Sequence, residues 1–153
     1  MLVICVGGCK KEQSIQPVAP PPPAPSALPP GGGLVDQLTR EARSRPADTT
    51  TVEQVSERLK AAGATVGEPQ QSIARTHGAT YCANIRSAGL YVLVCEYANA
   101  EQLAAGRPLT ENIFKAFPDH MIVTSKNTSV MLQWLTPAGK TQVDAVAKAL
   151  ATP

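Results

Sequence analysis

The sequence predicts an α+β domain, with a small antiparallel sheet of about five strands and helices packed on one face. Two patterns favour this class. After residue 33, apolar residues recur at the helical period in some segments and alternate with polar residues in others. Two pairs of alternating segments are joined by short runs typical of hairpin turns. The 153 residues suit about one domain, and a net charge of +2 gives no basic patch for nucleic acid.

Two helices are predicted in the first half of the domain. The first ends at Pro46, and the second begins at Thr50, which has capping-box spacing to Glu53. Gly63 stands where a glycine commonly follows a helix. The apolar positions at helical spacing are Leu34, Val35, Leu38 and Ala42 in the first helix, and Val52, Val55, Leu59 and Ala62 in the second.

The best strand signals form a hairpin. Residues 80–86 and 90–97 alternate well, and residues 70–76 are a weaker strand candidate. If Ala88 and Gly89 form the loop, the register is fixed, and one face of the hairpin becomes the core side. The residues expected on that side are Tyr81, Ala83, Ile85, Val92 and Val94.

The second half predicts a helix, another hairpin and a final helix. Residues 100–106 form a short helix or turn, and Thr110 caps a second helical piece that Pro118 ends. Residues 121–125 and 129–135 form the hairpin. Thr136 and Pro137 suit a helix start, since proline is favoured at the first helical position. The inner positions of this last helix are Val143, Val146, Ala147 and Leu150.

Cys82 and Cys95 are the two cysteines of the predicted domain. The same register places them opposite each other, within the reach of a disulfide that would close a loop of about 14 residues. Two other states remain open, namely free buried thiols, and a redox or metal-binding pair. Thiol oxidoreductases usually place Cys-x-x-Cys at a helix start, and this spacing differs from that pattern. A structural disulfide is therefore our main expectation.

No motif in the sequence assigns a catalytic residue, a metal ligand or a cofactor-binding residue. His77 and His120 are the two histidines, and their spacing to the cysteines fits no zinc pattern, so we expect exposed loop histidines. The chain lacks the Gly-x-Ser-x-Gly elbow and the glycine motifs that bind phosphates. No cofactor is expected.

The N-terminus carries a different signal. Residues 1–9 are an apolar run that ends in Val6-Gly7-Gly8-Cys9 and is followed by two lysines. This end resembles the lipobox of bacterial lipoproteins. The resemblance implies that residues 1–8 are the remnant of a signal peptide and that Cys9 is acylated, so that it anchors the chain in a lipid bilayer. Lys10 stands where inner-membrane lipoproteins usually carry Asp, which implies the outer membrane, with the domain facing the periplasm.

A proline-rich segment separates Cys9 from the predicted domain. Eight of the fourteen prolines lie within residues 17–30, and three glycines follow them. Proline favours extended polyproline II, so this segment predicts a stiff spacer of roughly 40 Å. The predicted organisation is therefore a signal remnant over 1–8, an anchor cysteine with its tether over 9–33, and one α+β domain over 34–153.

These features predict a non-catalytic envelope lipoprotein with a binding or assembly domain. Its expected partners are the lipid bilayer, through acylated Cys9, and other envelope proteins, with no role for nucleic acid. The alternative is a small periplasmic enzyme or thiol/disulfide redox protein that uses Cys82 and Cys95. A third possibility is an intracellular protein with a chance apolar start, in which both of these cysteines would be reduced.

Overall fold

The computed structural model describes residues 32–151, and Cys9, the predicted signal remnant and most of the predicted tether lie outside this range. It confirms an α+β fold with five antiparallel strands. The helices are α1 (Leu34–Arg43), α2 (Val52–Ala61), α3 (Ala100–Phe114) and α4 (Pro137–Ala151), and a 3-10 helix spans Ala74–His77. The strands are β1 (Gln70–Ser72), β2 (Tyr81–Ser87), β3 (Leu90–Glu96), β4 (His120–Ser125) and β5 (Thr128–Trp134).

The sheet has the order β1-β2-β3-β5-β4, and every neighbouring pair is antiparallel. The predicted register of the first hairpin is confirmed, since Ile85 pairs with Val92 and Cys82 pairs with Cys95. Gly89 has φ +78°, a left-handed conformation that glycine adopts without a steric penalty in a two-residue turn. The central strand β3 therefore joins the two hairpins through its pairing with β5.

One face of the sheet packs against α2 and α4. Val92 and Val94 of β3 are fully buried on this face, together with the predicted inner residues of both helices. The side chains from the two helices that complete this cluster are Val52, Val55, Leu59, Val143, Val146 and Leu150. This is the core that the hairpin register predicts.

The opposite face is also covered, by α3, in addition to the helices on the first face. Phe114 of α3 and Tyr97, just after β3, pack there against the two cysteines. The reason is that β3 and β5 carry large apolar residues on both sides, among them Leu93 and Met131 on this second face. A sheet with two apolar faces needs a cover on each of them.

Helix α3 is continuous, whereas the sequence predicted two separate pieces. Asn99 begins it by accepting a hydrogen bond from the main-chain N–H of Gln102 at 2.8 Å. Pro108 lies inside the helix and has no N–H to donate there. Thr110 and Phe114, which follow Pro108 in the helix, are buried, and their packing keeps the chain helical beyond this proline.

The cap of α2 lies one residue later than predicted. Thr51, not Thr50, accepts from Gln54 N, and the Gln54 side chain accepts from Thr51 N, which completes a capping box. Thr50 is buried, and its main-chain N–H and C=O both bond to the Thr128 hydroxyl at 2.9 Å. The predicted cap was wrong because this tertiary contact ties Thr50 to β5.

The buried side of helix α1 is rotated from the one predicted: Leu38 is partly buried as expected, but Leu34, Val35 and Ala42 are exposed. Gln37 is its buried residue, whereas Leu34 and Val35 are 56% and 75% exposed. The helix is held by polar contacts, since the Gln71 side chain donates to the Leu38 carbonyl at 2.7 Å and the Ala74 N–H donates to Glu41 at 3.1 Å. The helical period was predicted correctly, and the inward face was not.

A disulfide joins Cys82 and Cys95 across β2 and β3. Their Cα atoms lie 4.2 Å apart, close to the spacing of a non-hydrogen-bonded pair in an antiparallel ladder. Both side chains are buried, at 0% and 1% exposure, in the cluster beneath α3. The bond therefore fastens the central hairpin from inside the fold.

We predict that replacing both cysteines by alanine lowers the free energy of unfolding by about 2 to 4 kcal/mol, because the unfolded chain regains the freedom of the closed loop. Urea titration of the oxidised parent, the reduced parent and the double variant measures this. The reduced parent, which has the thiols but no bond, should lose most of the same free energy. A double variant within 1 kcal/mol of the oxidised parent contradicts the prediction.

Candidate functional site

The most deeply buried charge in the described domain belongs to Glu96, at the end of β3. Its side chain is 0% exposed and lies on the face that α2 covers. Arg45 binds both carboxylate oxygens, with Nη2 at 2.6 Å from Oε1 and Nε at 3.1 Å from Oε2. The N–H of Val52, in the first turn of α2, donates to the same carboxylate at 3.1 Å. A buried charge is tolerated when paired and hydrogen-bonded in this way.

Arg45 links this carboxylate to a second one. Its guanidinium makes two hydrogen bonds of 2.8 Å to Glu53 and lies 4.4 Å above the ring of Tyr81. The Arg45 guanidinium lowers the pKa of the Glu53 carboxyl to about 2, and the two carboxylates raise the pKa of Arg45. The cluster is thus an ion-paired network that ties the start of α2 to the sheet.

This network was missed in the sequence, although a signal for it exists. Glu96 continues the inward alternation of Val92 and Val94, so the hairpin register already places a carboxylate on the core face. Its partner Arg45 lies 51 residues away in the chain, in the segment between α1 and α2. No local pattern connects residues at that separation.

A second buried polar group lies under α3. His77 Nδ1 is 3.1 Å from the hydroxyl of Thr110, and the Tyr97 hydroxyl donates to the His77 carbonyl at 3.3 Å. Gly106 lies against the Tyr97 ring and the His77 carbonyl, where a side chain would collide with both. Burial lowers the pKa of His77. The neutral imidazole therefore fits this site, which joins the 3-10 helix to α3.

The prediction of two exposed loop histidines is wrong for His77 and holds only in part for His120. His77 is 8% exposed, because α3 lies over it. His120 begins β4 and is half-buried, with its ring 6.4 Å from that of Phe114 and its Nδ1 2.8 Å from the Phe117 carbonyl oxygen. Both histidines thus have packing contacts that fix them in the fold.

A concave surface lies at the end of the sheet where β3 begins and β5 ends. Two depressions meet there at Leu135, and we refer to them as the Leu135 depressions. The first, of about 320 Å³, is lined by Asp119, Trp134, Leu135, Thr136, Pro137 and Lys140. The second, of about 280 Å³, is lined by Arg86, Ser87, Leu90, Tyr91, Gln133 and Leu135.

The Leu135 depressions combine apolar area with cations. Leu135 is 62% exposed between them and adds to the apolar lining that both depressions share. Its N–H donates to the Gly89 carbonyl at 2.8 Å, so the hairpin turn holds it in place. Lys140 lies 5.5 Å from the Trp134 ring, and Arg86 is exposed at the rim of the second depression. The surface therefore offers apolar area beside two cations, and the Asp119 carboxylate also lines the first depression.

The residues singled out in the sequence fall into two groups. Cys9 lies outside the described residues, and Cys82 and Cys95 form the buried disulfide. Within residues 32–151, no three His, Cys, Asp or Glu side chains are grouped so that they could hold a metal ion. Across the same range, none of the helices has the length and apolar character needed to cross a membrane.

Comparison of the chain with protein-family models, with curated proteins and with solved structures finds no significant match.

We predict that Arg45→Met lowers the free energy of unfolding by about 3 to 5 kcal/mol, because it leaves the Glu96 carboxylate buried without its partner. Arg107→Met is the matched control, since Arg107 pairs with Glu111 at 2.7 Å while both side chains are about half exposed, at 47% and 49%. Such a surface pair contributes less than about 1 kcal/mol. Equal losses in the two variants, measured by urea titration, would show that burial of Glu96 is not what matters.

Proposed function

We propose that this chain is a lipid-anchored lipoprotein of the bacterial envelope, held at the outer membrane, with a non-catalytic binding or assembly domain that faces the periplasm. The observation that carries the proposal is Val6-Gly7-Gly8-Cys9 followed by a proline-rich segment and then by a separate domain. An acylated cysteine with two or three chains gives a stable anchor, whereas one chain binds a membrane only marginally. The proline-rich segment would then act as the spacer between bilayer and domain.

The disulfide supports an oxidising compartment for the domain. Disulfides persist outside the cytosol and are rare inside it, where thiols are kept reduced. The bond between Cys82 and Cys95 fits the periplasm for this reason.

The Leu135 depressions are the surface that we assign to binding. Leu135, Trp134 and Tyr91 offer apolar area, while Lys140, which also pairs with Asp144, lines the first depression and Arg86 lines the second. An exposed segment of another envelope protein, with apolar side chains and a carboxylate at either side, matches this arrangement of groups. The surface is built on strand ends and on the first turn of α4, so its shape is set by the fold.

We predict that Cys9→Ser releases the chain from membranes, because serine has no thiol to acylate. Cys5→Ser is the matched control, since Cys5 would be removed with the signal remnant. Membrane fractionation and the intact mass of the purified protein measure the result. The anchor is excluded if the Cys9→Ser chain fractionates with membranes as the parent does, or if the parent mass shows no acyl groups.

The alternative is a thiol/disulfide redox protein that uses Cys82 and Cys95. Exchange needs an attacking thiolate to reach one of the two sulfurs, and both cysteines are buried under α3. Their burial favours the structural role. It also separates this pair from reactive cysteines, which are usually accessible.

We therefore expect the bond to remain oxidised in glutathione buffers at about −260 mV, where glutaredoxin-type disulfides are substantially reduced. Thiol alkylation followed by mass spectrometry of the folded protein measures this. The unfolded protein in the same buffer is the control for access. Reduction of the folded protein at that potential would move the assignment to the redox alternative.

A further inference from the structure

The two edge strands of the sheet, β1 and β4, differ in how they are protected from pairing with another strand. The β1 edge has only three residues, and α1 lies beside it through the Gln71 side chain, which bonds to the Leu38 carbonyl. The β4 edge is six residues long, and its sequence His-Met-Ile-Val-Thr-Ser contains no lysine, proline or acidic residue. Exposed edges of soluble proteins are commonly protected by short length, charge, proline or a covering segment. The β4 edge lacks the first three of these protections.

The register shows which main-chain groups of β4 point outward. Ser125 pairs with Thr128 across the two-residue turn, so the inward-bonded residues of β4 are Ser125, Val123 and Met121. The bond from Trp134 N to the Asp119 carbonyl, at 3.0 Å, continues this alternation. His120, Ile122 and Thr124 therefore direct their N–H and C=O groups away from the sheet. Among residues 32–151, none forms a hydrogen bond with those groups.

The side chains along this edge are suited to a self-complementary contact. Met121 is 36% exposed, and Ile122 and Val123 are only partly buried. Met121 and Val123 lie on the face that α4 covers, and Ile122 lies on the opposite face with Met131. Pairing with another uncharged strand would therefore bury apolar groups on both faces.

We propose that β4 is a homodimer edge, on which β4 of a second copy pairs antiparallel about a two-fold axis at Ile122. This register is the one that uses all three outward residues of each copy. Ile122 then faces Ile122 of the second copy, and His120 faces Thr124 of the second copy, as hydrogen-bonded pairs. Met121 lies opposite Val123 of the second copy. An isologous contact of this kind closes after two copies and joins two five-stranded sheets into one.

The charges at the two ends of β4 favour the antiparallel arrangement. Asp119 precedes the strand and Lys126 follows it, and neither side chain forms an ion pair within the part of the chain that the structure describes. Antiparallel pairing brings Asp119 of one copy beside Ser125 and Lys126 of the other, at both ends of the contact. Parallel pairing would place like charges together. The complementary charges therefore identify a second copy as the occupant.

The ends of the contact are also set by the backbone. Asp119 and Lys126 have φ of +63° and +51°, so the chain turns away from the strand direction at both positions. Thr49 forms an isolated bridge with Lys126 and limits the free edge there. In the proposed dimer, the chain of one copy turns away from the contact at Asp119. This residue lies next to Lys126 of the other copy, where the bridge to Thr49 ends the free edge.

Cysteine cross-linking of the full chain tests this register. Ile122→Cys should give a disulfide-linked dimer on oxidation with copper phenanthroline, because a hydrogen-bonded pair has Cα atoms about 5.5 Å apart, within the range of a disulfide. His120→Cys and Thr124→Cys should each remain monomeric alone, and the chain carrying both should cross-link. The parent chain controls for dimers through its own cysteines. Failure of Ile122→Cys to cross-link, or equal yields from all single variants, overturns the proposal.

A proline variant tests whether main-chain pairing holds the two copies together. Thr124 directs its N–H away from β5, so Thr124→Pro removes a bond of the dimer and none of the monomer. Added to Ile122→Cys, it should abolish cross-linking, whereas Thr124→Val, which keeps the N–H, should retain it. The melting midpoint of each variant shows whether the monomer fold is kept. Cross-linking that survives the proline in a folded chain contradicts edge pairing.

Discussion

The register of the β2–β3 hairpin is the constraint on which the rest of the fold depends. A slip of one residue would move every side chain of a strand to the other face of the sheet. The two-residue turn at Ala88 and Gly89 prevents this slip, and the buried disulfide between Cys82 and Cys95 locks it. With the register fixed, Val92 and Val94 face α2 and α4, while Leu93 and Cys95 face α3. The faces of the sheet on which α2, α3 and α4 pack therefore depend on the turn at Ala88 and Gly89.

The same register buries a charged side chain, which would destabilise the fold if the charge had no partner. It places Glu96 on the apolar face, where an unpaired carboxylate would be strongly unfavourable. Arg45 and the N–H of Val52 compensate this charge, and in doing so they fix where the loop after α1 and the start of α2 lie. Removal of a charge from water is not a source of stability by itself. Its effect here is to specify the position of α2 on the sheet.

The sequence predicted what depends on local periodicity and on turns. The class of fold, the five strands, the pairing of Cys82 with Cys95 and the core side of the first hairpin were all predicted correctly. The inward face of α1 was not, because helical period alone does not say which side meets the domain, and α1 packs through Gln37. The burial of His77 was missed for a related reason. It depends on α3, which is distant in the chain, covering the 3-10 helix.

The site was less predictable than the fold. Glu96 was predictable as an inward carboxylate from the alternation of β3, but Arg45 as its partner was not, since they are far apart in sequence. The Leu135 depressions arise where the ends of two hairpins and the first turn of α4 meet, and no segment alone contains them. Sequence patterns identify elements, whereas a concave surface depends on how elements are placed together.

Asp119 connects the two surfaces to which we assign interactions. It lines the first Leu135 depression with Trp134 and Lys140, and it also stands at the end of the β4 edge. In the proposed dimer its carboxylate lies close to Lys126 of the second copy, so less of its negative charge is directed at the depression. Lys140, which also pairs with Asp144 at 3.1 Å, would then have less opposing charge from Asp119. Under the two proposals, pairing at the β4 edge would therefore change the charge at the first Leu135 depression through the Asp119 carboxylate.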